Sequence, residues 1–410
     1  MATIVVFVML MIVLAVLAMV CVNALAASPW GVFSVGMTIP IAIGMGLWLR
    51  FVQPGKITQV SFVGFGLLIA VIIGGRWGAE SPPGHYLHLS PKTLVWAMII
   101  YGFLAAVLPV WVLLTPRDYL STFMKVGTIT ILALGIIIVR PLVEMSAVTE
   151  FAFNTEGPVF AGTLFPFLFI TIACGALSGF HATQSPLMSR CLSNEKQGKA
   201  VFYGGMVAEG FIGLVWATVG MTFYTSPEAL AAAGGPANVV NETARALMGP
   251  VGGVLAILGV VALPVTSGDT AFRAARLTIA EMFNFKQSAI PARLAIAIPI
   301  FAIGVVLNFV DFNVIWRYFG FANQALAAIM LWASGAYLYR KHRLHWICTV
   351  PATFMTAVCI SYICYEPKMG FGMGIEIADI IGVIVAVVSL VAFLALGRKP
   401  IAGAPSIDEV

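Results

Sequence analysis

Twelve apolar stretches, separated by short polar segments, constrain this chain more than any other feature. They fall near residues 3–25, 31–49, 57–75, 93–115, 121–139, 163–181, 200–223, 250–268, 292–310, 318–338, 346–364 and 377–396. The hydrocarbon core of a bilayer is about 30 Å thick and takes ~20 helical residues to cross. No water is available there to satisfy backbone N–H and C=O groups, so apolar runs of this length must be helices. The predicted fold class is therefore all-α: a polytopic membrane protein with about twelve transmembrane helices. A chain of 410 residues that is 60% hydrophobic and 10% charged is not a soluble globular protein. No polar segment is long enough for a separate soluble domain. Residues 1–410 read as a single transmembrane domain with a tail at 397–410.

The first run, 3–25, mimics a secretion signal because Ala24-Leu25-Ala26 resembles a cleavage site. It lacks the preceding Lys or Arg and is too long for a signal core, so a retained helix is expected. The net charge of +5 does not mean nucleic-acid binding; the basic residues are distributed by loop. With a cytoplasmic N-terminus, alternate segments hold sixteen Lys and Arg inside and six outside. By the positive-inside rule, both termini are expected in the cytoplasm. The outer segments 140–162 and 224–249 are longer than bare turns; the second reads as a connecting loop, with an amphipathic helix or lid as the alternative. The six cysteines show neither CxxC nor zinc spacing, so neither a disulfide framework nor a metal is expected. HExxH, GxSxG, Walker and GxGxxG motifs are absent. The chain is not expected to be an enzyme, and without a nucleotide site any transport would run on an ion gradient.

The segment Leu164–Lys199 departs from a simple span. It reads LFPFLFITIACGALSGFHATQSPLMSRCLSNEKQGK, and halfway along its apolar character gives way to Gly175, Ser178, Gly179, His181, Thr183, Gln184, Ser185 and Pro186. Loosened backbone at membrane depth is tolerated only against protein or a water-filled cavity, and transporters place substrate sites at such broken helices. The alternative is a helix end in which Gly175 and Gly179 form a GxxxG packing face.

Ionisable groups inside spans are costly and point to function. His181, Glu209, Asp269 and Asp379 qualify by position. Glu209, in GGMVAEGFIG, suits a proton carrier or a structural acid bonded to a neighbouring helix. Asp269 follows an apolar run broken by Pro264 and Gly268, and Thr266, Ser267 and Thr270 add oxygen donors suited to a cation or a peptide amine. Arg273, four positions on, offers Asp269 a structural ion pair instead. Asp379 reads as interfacial. Asn323 and Gln324, in FGFANQALAA, bind substrate or clamp helices together. Arg117-Asp118 in TPRDYL reads as a helix start.

FPFLFITIACGALSGFHATQSP, together with NALAASPWGVFSV, LPVWVLLTPRDYLSTFMKVG and FGFANQALAA in the same order, resembles the carbon starvation (CstA) family of bacterial membrane proteins over about residues 1–340. The resemblance implies a multi-pass inner-membrane transporter of small nutrients, with peptides first and pyruvate-like carboxylates second. It also implies the inverted-repeat, broken-helix (LeuT/APC-like) architecture of symporters. A channel or non-transporting sensor subunit is the rival from another class. On this reading Gly175, Ser178, Gly179, His181, Thr183, Gln184, Asn323 and Gln324 serve the substrate. Glu209, Thr266, Ser267, Asp269 and Thr270 serve coupling by a proton or monovalent cation. No cofactor and no nucleic acid is expected; the partners are a small-molecule solute and the lipid bilayer, with oligomeric state left open. The family's usual chain carries further N-terminal helices with a GHHFAAIAGAGP-like stretch, thought to form a partner broken helix. Nothing similar precedes residues 3–25, so the expectation is a chain incomplete at the N-terminus and not competent for transport alone.

Overall fold

The computed structural model describes residues 2–26, 29–54, 56–80, 86–109, 111–153, 163–234, 236–287 and 289–396. Among these residues every regular element is helical. The long helices are α1 (Ala2–Ala26), α2 (Pro29–Leu47), α3 (Ile57–Glu80), α4 (Pro91–Val107) and α5 (Leu114–Val139). The broken segment forms α6 (Phe169–Leu177) and α7 (Gly179–Ser189); α8 (Gly204–Phe223) and the short α9 (Pro227–Ala232) follow. The rest are α10 (Pro236–Met282), α11 (Ile290–Leu307), α12 (Phe312–Arg340), α13 (Trp346–Tyr365) and α14 (Ile375–Leu396). Among the described residues eight helices are long and apolar enough to cross a membrane, and the bent pair Leu164–Ile172 and Cys174–Ser189 would make nine. The remaining three apolar runs lie on α4, α10 and α12, the first of them only as far as Val107. The chain is an all-helical, polytopic membrane protein.

The contacts divide the chain into two compact units. One comprises Leu10–Thr149 and Leu187–Ile315; the other comprises Met1–Met9, Glu150–Pro186 and Trp316–Val410. In the first, α10 lies along α5 and also packs on α2, α4 and α11. Its core is built from Leu120, Met124, Val60, Leu68 and Ala262, and from Cys21, Val22, Leu94, Val261 and Val265. In the second unit α13 and α14 pair closely, because Gly382 lies against Ser361 and Ala357 with no room for a Cβ. Such small residues let backbones approach where lipid removes the hydrophobic drive between helices. Phe167 and Ile170 pack on Met355, Val358 and Tyr362 in that unit.

Two stretches differ from the sequence expectation. The run 93–115 ends as helix at Val107, because Leu108 turns extended and Pro109 follows. Ser90 caps the other end of α4 by accepting from Thr93 N–H. Arg117 and Asp118 do fall in the first turns of α5, as TPRDYL implies. The segment 224–249 is not a plain loop: Ser226 caps α9, and residues 236–248 form the first arm of α10. Gly249, at φ +69°, then breaks the helix ahead of Pro250, since a left-handed backbone suits glycine. The tail 397–410 and residues 154–162 lie outside the described residues.

Candidate functional site

In the second unit the helix does break where Leu164–Lys199 loosens. Ser178 leaves α6 with an extended backbone (φ −71°, ψ 123°), and a bend of 59° separates Leu164–Ile172 from Cys174–Ser189 just ahead of it. α12 supplies what the break leaves open. Asn323 Oδ1 accepts Phe180 N–H at 2.8 Å and lies 3.4 Å from Ser178 Oγ. Gln324 Nε2 donates to the Ile170 carbonyl at 3.1 Å, while its Oε1 is buried without a hydrogen-bond partner. Gly179 is needed for this approach, since a Cβ there would overlap the Asn323 carbonyl. Ser178, Gly179, Asn323 and Gln324 therefore meet. Thr183 donates to the Phe180 carbonyl and accepts from Gln184 Nε2, so both are held within α7. His181 and Gly175 are half-buried on the two sides of the break.

The first unit holds the other cluster. Asp269, 3% exposed on α10, accepts a 2.6 Å hydrogen bond from the Tyr101 hydroxyl of α4. Arg117 of α5, 5% exposed, places its guanidinium 4.2 Å over the Tyr101 ring and donates from Nε to Thr38 Oγ1 at 3.2 Å. Its Nη1 is buried without a hydrogen-bond partner. Thr38, Arg117, Ser121 and Thr266 line a cavity of about 10 Å³. Asp269 and Tyr101 edge a second cavity of about 30 Å³, walled by Leu14, Phe272 and Phe301. The ion pair with Arg273, the alternative reading of this acid, is not formed: Tyr101 takes Asp269, and Arg273 Nη1 has no hydrogen-bond partner.

The oxygen donors around Asp269 are largely spoken for. Thr266 Oγ1 bonds the Ala262 carbonyl and accepts from Lys125 Nζ at 2.5 Å. Lys125 also pairs with Asp118 at 3.4 Å. An internal ammonium thus stands on the hydroxyl that the sequence offers to a free cation. Thr270 bonds back to the Thr266 and Ser267 carbonyls of its own helix. Ser267 is half-buried. Glu209 is half-buried on α8 and belongs neither to the Asp269 hydrogen bond nor to either cavity.

Sequence reasoning missed Arg117, Lys125 and Tyr101. A signal was present: Arg117, Ser121 and Lys125 recur every fourth residue, which puts a polar stripe on one face of an otherwise apolar helix. It also missed the ion pair of Arg317 with the buried Glu366 in the second unit.

The sequence profile of the family described as carbon starvation protein CstA matches residues 1–252 and 220–362, a span that contains both clusters. The chain belongs to the CstA family. Among its relatives is the peptide transporter CstA of Mycobacterium tuberculosis, 40% identical over 412 aligned residues. That match takes in 83% of this chain and 54% of the relative. The peptide transporter CstA of Escherichia coli K12 is 39% identical, over 85% of this chain and 60% of the relative. The pyruvate/proton symporter BtsT of the same organism is 48% identical over 211 residues, 51% of this chain and 29% of the symporter. The chain thus spans a little over half the length of the first two CstA relatives.

Proposed function

We propose that this chain forms the core of a gradient-driven importer of small nutrients in the bacterial inner membrane, with both termini in the cytoplasm. It is a transporter rather than an enzyme, and peptides are the first substrate class, by its relation to CstA proteins named for them. The observation that carries the reading is the buried acid Asp269, held by Tyr101 beside the guanidinium of Arg117 and the ammonium of Lys125. A lone carboxylate at membrane depth can carry a proton, and its charge state changes what its cationic neighbours bind. Ionised, Asp269 partly offsets Arg117. Protonated, it leaves that guanidinium for a carboxylate on the solute, so proton and solute enter together. The proton is preferred to a metal cation because Lys125 already occupies Thr266. Gly175, Ser178, Gly179, His181, Thr183, Gln184, Asn323 and Gln324 are assigned to the solute path in the second unit, and Glu209 is kept as a second proton-carrying candidate.

The unpartnered Nη1 of Arg117 favours a second reading, a pyruvate-like monocarboxylate. A guanidinium pairs with a carboxylate through two parallel hydrogen bonds. The BtsT match agrees with that chemistry.

Proteoliposomes carrying this chain, and a fusion that supplies the parts of the M. tuberculosis relative outside the match, test the proposal with labelled dipeptide and pyruvate. Saturable accumulation driven by an inward proton gradient and abolished by a protonophore is expected in at least one of them. Asp269→Asn keeps the size of the side chain, and it should abolish accumulation while solute exchange persists. Gradient-independent flux would make the protein a channel. Binding without flux would make it a sensor. Normal accumulation by Asp269→Asn at every pH would move coupling to another group.

A further inference from the structure

A second group of cations lies outside the transport reading and is independent of it. Arg273 and Arg276 stand one turn apart near the end of α10, and Arg293 lies in the first turn of α11. Two of them, Arg276 and Arg293, meet at Gln287 in the intervening loop. Arg276 Nη1 donates to Gln287 Oε1 at 2.9 Å, and Arg293 Nε donates to the Gln287 carbonyl at 2.9 Å. Arg293 Nη1 reaches the Val107 carbonyl at 3.3 Å. Each guanidinium lies within the field of the others.

Charge and hydrogen bonding are both left incomplete here. Arg276 is 3% exposed, yet its Nε has no hydrogen-bond partner, and neither has the buried Nη1 of Arg273. The acids flanking the pair on α10 are engaged elsewhere, Asp269 by Tyr101 and Glu281 by Arg190 at 2.7 Å. Among the described residues no carboxylate pairs with Arg273 or Arg276. Buried like charges repel and lose hydration, a cost that an enclosed anion offsets. Guanidinium forks match the oxygens of a phosphate group better than a point charge does.

We propose that Arg273, Arg276 and Arg293 bind a phosphate group. Gln287 holds Arg276 and Arg293 in place, and the unpartnered N–H groups of Arg273 and Arg276 take the oxygens. The site lies between helix ends in a segment rich in Lys and Arg, where the headgroup of an anionic lipid would meet it. A soluble phosphate presents the same chemistry.

Binding is measured on the purified full chain in detergent by native mass spectrometry and by thermal stability. Phosphatidylglycerol, phosphatidylcholine and inorganic phosphate are titrated separately, with chloride at matched ionic strength. Saturable binding of phosphatidylglycerol over phosphatidylcholine identifies a lipid headgroup; stabilisation by inorganic phosphate without lipid preference identifies a soluble one. Either supports the site if Arg273→Gln and Arg276→Gln each weaken it about tenfold or more, as expected for a lost charge-assisted contact, while exposed Arg343→Gln does not. Should a variant fail to fold, phenylglyoxal labelling of the half-buried Arg273 in the wild-type chain decides, because the bound phosphate should protect it. Equal binding by all variants, or protection no better than with chloride, overturns the proposal.

Discussion

The amide oxygen of Asn323 accepts the N–H that opens α7, while the neighbouring Gln324 donates to a carbonyl of α6. Both side chains are 1% exposed. Of the two roles left open for this amide pair, helix clamping accounts for the hydrogen bonds observed, while Gln324 Oε1 is buried without a hydrogen-bond partner. Asn323→Ala would strand Phe180 N–H in the interior and should cost about 1–3 kcal/mol. Unfolding in detergent measures that cost. If Asn323→Ala instead leaves stability unchanged and raises only the KM of uptake, the amide acts on the solute and not on the helices.

At the scale of elements, the crossing of α7 on α12 depends on one missing methyl group. A Cβ at Gly179 would lie 2.9 Å from both the Ala327 nitrogen and Leu326 Cβ, besides overlapping the Asn323 carbonyl. Backbone atoms cannot yield as a flexible side chain does, so Gly179→Ala should push the two helices apart. Overpacking of this kind costs about 1–3 kcal/mol. Gly213 in α8 makes the comparison, because a methyl group there would meet nothing within 4 Å. At that position the same change should be neutral or stabilise by up to ~1 kcal/mol, the helix preference of alanine over glycine. Thermal unfolding of the two variants side by side tests the contrast; equal melting points would remove the close-packing account of the break.

At the scale of the molecule, orientation follows from the loops and can be read with a native probe. Cys191 is exposed in the basic segment 190–199, whereas Cys21, Cys359 and Cys364 are buried. With sixteen basic residues assigned inside and six outside, that segment should face the cytoplasm. A membrane-impermeant maleimide should therefore label Cys191 in inside-out vesicles and spare it in intact spheroplasts. Labelling from the outside would reverse the orientation, or change the number of crossings before it.

Periodicity and composition alone determined the helical class, the placement of apolar runs on helices and the break after Gly175. Each of these is a local matter: length against bilayer thickness, and backbone groups that must be satisfied within their own segment. Thr266 and Asp269 were legible for the same reason, since oxygen atoms crowd an apolar run just past Pro264 and Gly268. Their partners were not. Tyr101 stands 168 residues from Asp269, Arg117 reads as the ordinary start of a helix, and Lys125 counts only as one of the inside basic residues until α10 is packed along α5. In a bilayer the lipid is as apolar as the helix faces, so partners are chosen by close packing and by polar contacts between helices. Those leave no repeating pattern along the chain, and only the tertiary structure could bring Arg117, Lys125, Tyr101 and Asp269 to one place.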